Sequence, residues 1–163
     1  MPARYTLYNF LAPGLTPVYR AIAAYLANAL ACKIDLIVGD DYDSVKHADF
    51  SLICSLAYLP RQHLLEPLAA PVLMGARYDN RPIYFSDVIV RRDSTVRVFD
   101  DLRGCAWAYN EPESQSGYGI TRHHLLTLGE TRGFFGQVVQ AGYHQTAIRQ
   151  VAEAKAAGKL DAA

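Results

Sequence analysis

Twice in the second half of the chain an apolar, strand-like segment runs into a polar, glycine-containing turn and then into a helix-patterned segment. The turns are Asn110-Glu111-Pro112-Glu113-Ser114-Gln115-Ser116-Gly117-Tyr118 and Ala141-Gly142-Tyr143-His144-Gln145-Thr146. A strand that hands over directly to a helix is the building block of a largely parallel α/β sheet, which limits the fold sharply. It also exposes a helix start, where unpaired N–H groups and the positive end of the helix dipole can hold an anion without any lysine. Two such starts with hydroxyl, amide and imidazole donors suggest a small oxyanion held by hydrogen bonds.

The first half follows the same alternation. Tyr5 to Phe10 reads as a strand ahead of a Pro13-Gly14 turn. Thr16 is expected as an N-cap with Pro17 at the first helical position. Val18, Ile22, Leu26 and Leu30 then repeat at the helical period, predicting a helix over 17–31. Strands are expected at 34–38 and 50–54, a helix at 56–65 and the longest strand-like run at 83–91. Beyond the polar turn at 92–95 come a short glycine-capped helix (98–104), a strand (105–109), a helix (116–128), a strand or strand-like connection (134–140) and a helix (145–157). The change of character at 91–95 places an expected lobe boundary there, with lobe one at 1–91 and lobe two at 92–163.

Several functions are disfavoured by content alone. Lys+Arg and Asp+Glu balance at 16 each, so there is no basic field for nucleic acid or an anionic membrane. No apolar run approaches the ~20 residues of a membrane-spanning helix. Cys32, Cys54 and Cys105 are far apart and form no CxxC pair, which supports neither a zinc site nor a disulfide framework. His123 and His124 are adjacent rather than four apart, and Asp40-Asp41-Tyr42-Asp43 lacks the glycine and distal glutamate of a calcium loop. No cofactor or metal is expected, and no G-x-S-x-G elbow, Walker loop or HExxH is present.

Phe99-Asp100-Asp101-Leu102-Arg103-Gly104, Trp107-Ala108-Tyr109-Asn110, Ser114-Gln115-Ser116-Gly117 and Gly142-Tyr143-His144, in that order, resemble the phosphate/phosphonate-type substrate-binding proteins of ABC transporters. Upstream, Tyr8-Asn9-Phe10-Leu11 and Asp49 to Tyr58 are similar to that family's first βα unit and its strand-then-tyrosine segment. The resemblance implies an α/β, two-lobed fold of the type 2 periplasmic-binding-protein class. It also implies a non-catalytic protein that recognises phosphate, phosphonate or a related oxyanion between its lobes, with an ABC transporter permease as partner. The family runs on further than this chain, which stops near where a return strand would begin, so a truncated form with an incomplete second crossover is expected.

Carried over residue by residue, the ligand contacts expected are Ser114, Gln115, Ser116, Gly117 and His144 from the second lobe. Tyr58, Tyr8 and Asn9 are expected from the first. Each has a plainer reading beside it. Serine and glycine are favoured at helix caps for local reasons; Tyr8 and Tyr58 suit rim packing; Thr146 reads as a cap. Tyr118 suits either shielding the ligand or covering its own helix turn. Glu111 and Glu113 read as a solvated loop, or one of them as the partner of a ligand ammonium in an aminoalkylphosphonate. The family is periplasmic, whereas the start at Met1 lacks a signal-peptide h-region. An intracellular ligand-sensing domain of the same fold is therefore the alternative; an enzyme built on His144 with Ser114 or Ser116 lacks an orienting acid.

Overall fold

A computed structural model describes residues 1–130, 132–154 and 162–163. They form two compact units, Met1–Leu65 and Glu66–Ala163. The sequence-derived boundary at 91–95 falls inside the second unit.

The first unit is a three-stranded parallel sheet. β1 (Arg4–Asn9) lies in the middle, paired with β2 (Lys33–Val38) from Arg4↔Lys33 to Asn9↔Val38 and with β3 (Phe50–Leu52) from Leu7↔Phe50 to Asn9↔Leu52. The connection from β1 to β2 is helix α1 (Thr16–Ala29), the crossover that parallel neighbours require. Leu7, Tyr19, Ala23, Val45 and Ala57 are the buried residues that join sheet to helices. Thr16 does not cap α1; its hydroxyl donates to the carbonyl of Pro13 at 2.6 Å, because the chain already turns through a 3₁₀ segment, Pro13–Leu15. The helix expected at 56–65 shortens to α2 (Ser55–Tyr58) plus one 3₁₀ turn at Leu59–Arg61. Pro60 supplies no N–H to continue it. The acidic turn is likewise a 3₁₀ segment, Tyr42–His47, capped by the Asp41 carboxylate, which accepts from the Asp43 N–H.

The second unit is built on a parallel pair, β4 (Ala106–Tyr109) and β5 (Gln137–Gln140), in register from Ala106↔Gln137 to Tyr109↔Gln140. Each strand is followed by a helix: a π-type turn at Gln115–Gly119 running into α3 (Ile120–Thr127), and α4 (His144–Glu153). The expected continuation of α4 to 157 extends past the described residues. The strand expected at 83–91 contracts to an isolated pairing of Val90 with Ala162, closed by reciprocal bonds between Ile89 and Ala163 of 2.7 and 2.9 Å. Before Ile89 the run pairs with no strand among the described residues, and a ladder needs one. On its other side Ala162 bonds to β4, accepting from the Ala108 N–H and donating to the Ala106 carbonyl.

Leu102, Leu125, Phe134 and Ala162 form the buried core of this unit, with Val88, Val90, Val96, Phe99 and Phe135 packed around it. Leu102 arrives on a 3₁₀ turn, Phe99–Leu102, pinned by the Asp101 carboxylate, which accepts from the N–H groups of Arg97 and Val98. Those two bonds hold Asp101 below the usual carboxylate range. Removing a fully buried leucine leaves a cavity that costs about 2–5 kcal/mol. Leu102→Ala is therefore expected to lower the urea midpoint followed by fluorescence of Trp107, the chain's single tryptophan, which lies in this unit.

Candidate functional site

Because β4 and β5 are parallel, both end at the same edge of the second unit. The pairing continues past the strands: the Ala141 N–H donates to the Tyr109 carbonyl at 2.7 Å and the Gly142 N–H to the Asn110 carbonyl at 2.9 Å. The two turns are thus closed onto each other, and the two helix starts that follow are brought side by side. Ser116 Oγ lies 3.4 Å from His144 Nε2. That separation is long for a hydroxyl–imidazole bond, so neither group is committed to a strong partner.

Gln115, Ser116, Gly117 and His144 are half-buried around this point. Ser114 is buried and acts as the helix cap, its hydroxyl accepting from the Gly117 N–H at 3.1 Å. The turn it caps is π-type: the Gly119 N–H reaches back five residues to the Ser114 carbonyl, and the Ile120 N–H to Gln115. Such turns are frequent at functional sites. α4, by contrast, has Tyr143 at its N-cap and no side chain bonded there, so Thr146 is not a cap. Gly117 is required by close approach, since a Cβ there would overlap the Asn110 side-chain oxygen and come within 2.9 Å of His144 Cε1.

A cavity of about 450 Å³ opens onto this point, lined by Asn110, Ser116, Gly117, Thr121 and His144 together with the aromatic rings of Tyr84, Phe85 and Tyr109. Ser86 ties the opposite wall to the helix start, its hydroxyl donating to the Ser116 carbonyl at 2.6 Å. Asp87, also on that wall, is engaged by Arg77 through two bonds of 3.0 and 3.1 Å, which keep its carboxyl below the usual range. Burial pushes His144 below the ordinary imidazole value, and the Glu111 carboxylate pulls part of the way back. Both effects act on the same ring, and burial is the larger. Tyr118 lies over Trp107, ring centroids 5.9 Å apart and planes nearly parallel, and its hydroxyl accepts from Arg122. His123 and His124 are exposed, and among the described residues no cluster able to hold a metal occurs.

In the first unit, Tyr8 and Asn9 occupy the C-terminal end of β1 and Tyr58 the end of α2. Asn9 is buried, and its amide both donates to and accepts from the backbone of Leu11. Tyr8 is half-buried and stacked on Phe10, which in turn stacks on Tyr42. Tyr58 is half-buried. Sequence reasoning missed Asn110, Thr121 and Ser86. Asn110 stood in the informative turn but was passed over for the serines, and Ser86 lay hidden in a run read as strand.

Comparison with known proteins agrees with this architecture. Residues 12–162 match the family model described as ABC transporter, phosphonate, periplasmic substrate-binding protein. Among solved structures, a binding protein component of an ABC phosphonate transporter from Pseudomonas aeruginosa is similar over all of this chain at 13% identity, with a TM-score of 0.73. PhnD1 from Prochlorococcus marinus, in complex with methylphosphonate, is similar over 99% of the chain at 14% identity and a TM-score of 0.64. A Xanthomonas citri protein bound to ATP is similar over 98% at 18% identity and 0.57. This chain spans 57%, 63% and 62% of those three chains, respectively. The likeness supports the two-lobed periplasmic-binding-protein fold, here in part, and with the match over 12–162 the chain belongs to the periplasmic substrate-binding protein family of phosphonate ABC transporters.

Proposed function

We propose that the chain is a non-catalytic binding protein that takes up a phosphonate, phosphate or related oxyanion for an ABC transporter permease, in the periplasm. The observation that carries this reading is the pair of helix starts closed together by the Tyr109–Ala141 and Asn110–Gly142 bonds, with Ser116 and His144 loosely joined between them. An oxyanion placed there accepts from the Ser116 hydroxyl, from His144 and from N–H groups of the two first turns. Gln115 contributes through its backbone, Gly117 by allowing the close approach of Asn110 and His144, and Ser114 through the cap it forms on the Gly117 N–H. Tyr8, Asn9 and Tyr58 are carried forward as further candidate ligand residues on the first unit.

Calorimetric titration against phosphate, phosphite, methylphosphonate and 2-aminoethylphosphonate tests this reading. ATP joins the panel because the Xanthomonas citri protein was solved bound to it. Saturable binding of one of them is expected, weakened about tenfold or more by Ser116→Ala or His144→Ala, each of which removes a hydrogen bond to a charged group. Binding by none, from a folded chain, overturns the proposal. If Glu113 meets a ligand ammonium, Glu113→Gln weakens 2-aminoethylphosphonate alone; an unchanged preference assigns Glu113 to the loop.

His144 also predicts a pH dependence. Its pKa in the empty protein is lowered by burial, and a neighbouring anion raises it. Binding therefore takes up a proton, and affinity rises as pH falls through the interval between the two values. The other ionisable groups lining the cavity are Asp87, paired with Arg77, and the phenols of Tyr78, Tyr84 and Tyr109; Glu111 acts on the ring by its charge. In His144→Gln the proton uptake measured in buffers of different ionisation enthalpy is expected to fall by the His144 share.

A further inference from the structure

Ser116 and His144 offer donors toward an anion, whereas Asn110 beside them presents an acceptor. Asn110 is 7% exposed, and its side-chain oxygen is buried with no hydrogen-bond partner. Its backbone carbonyl is already used by Gly142, so the orphaned atom belongs to the side chain alone. A buried carbonyl-type oxygen without a partner is costly, on the order of 1–3 kcal/mol, and is rarely kept without a reason. Asn110 is one of the residues lining the cavity, together with Ser116, Gly117 and His144.

Which end of the amide faces Gly117 follows from the packing. A Cβ built on Gly117 would overlap the Asn110 oxygen, so the Gly117 Cα hydrogen on that side faces that atom. A C–H faces an oxygen favourably. Turned over, the amide would set its own hydrogens against that C–H. The oxygen is thus fixed as an acceptor next to Gly117, on a residue that lines the cavity with Ser116 and His144.

Resting on the oxyanion reading above, we propose that Asn110 selects an oxyanion that carries a proton: the monoanion of a phosphonate or phosphate, whose P–OH donates to Asn110 Oδ1. A fully ionised group presents only lone pairs, and one of its oxygens would meet the amide oxygen across a buried, weakly screened gap. A sulfonate, which bears no proton at neutral pH, meets the same penalty while matching the monoanion in charge and nearly in shape. Asn110 thereby separates phosphorus from sulfur oxyanions by the one feature that distinguishes them at equal charge.

The test is calorimetric titration of the full chain with methylphosphonate and methanesulfonate, at a pH below and a pH above the second ionisation of methylphosphonate. The unsubstituted protein is expected to prefer methylphosphonate by at least about tenfold below that ionisation. Asn110→Leu removes the acceptor and should erase most of that preference. Asn110→Asp keeps an acceptor; it should retain methylphosphonate at the lower pH and lose it steeply at the higher, where two anions would face each other. An unchanged preference in Asn110→Leu overturns the proposal. So does loss of both ligands at every pH in Asn110→Asp, which would mean that the amide donates. If Asn110→Leu fails to fold, judged by Trp107 fluorescence, the pH profile of Asn110→Asp decides alone. An unsubstituted protein that binds none of the phosphorus oxyanions refutes the oxyanion reading itself rather than the role of Asn110.

Discussion

Two backbone bonds beyond the ends of β4 and β5 govern the rest of the second unit. Strand pairing alone would leave the turns after Tyr109 and Gln140 to wander; the Ala141–Tyr109 and Gly142–Asn110 bonds extend the register into them. Register in a sheet is all or none, since a shift of one residue sends every side chain to the opposite face. Fixing it past the strand ends therefore fixes the starting points of both helices, and with them the approach of Ser116 to His144. The donors of the site are positioned by main chain, which has fewer soft degrees of freedom than any side chain that could replace it.

The chemistry of the site is that of shared attraction with little fixed charge. Arg77 is engaged by Asp87 on the cavity wall, while burial lowers the pKa of His144. A site of hydroxyls, amides and a neutral imidazole binds through directional bonds rather than a long-range field, which favours discrimination over raw attraction. Tyr84, Phe85 and Tyr109 add aromatic surface to the cavity beside these polar groups.

Much of this was legible in the chain itself, and the failures have particular causes. The strand–turn–helix handovers at 109–120 and 140–145 are readable because period-2 and period-3.6 segments meet there across glycine and serine. Thr16 reads as a cap, but the Pro13-Gly14 turn that is visible in the sequence tightens into a 3₁₀ segment, Pro13–Leu15, that runs straight into the helix and takes the cap position. The apolar run at 83–91 looked like a strand, but whether such a run is paired depends on a partner elsewhere, in this case Ala162 and Ala163. Asn110 was visible as a polar residue in a turn; its orphaned oxygen is a product of burial and of the close approach of Gly117, which only three dimensions supply.

Ala162 and Ala163 bear on how the second unit is made as well as on how it is held. They lie between the 89–90 segment and β4, bonded on both sides, so a central strip of this sheet comes from residues far downstream of either neighbour. Such non-local closure is slow, because the loop entropy is spent before the contacts are gained. During synthesis β4 and the 89–90 segment emerge long before the strip that joins them, leaving two unpaired edges on the nascent chain. Such edges template aggregation, and a polypeptide that waits in this state is the kind that chaperones hold.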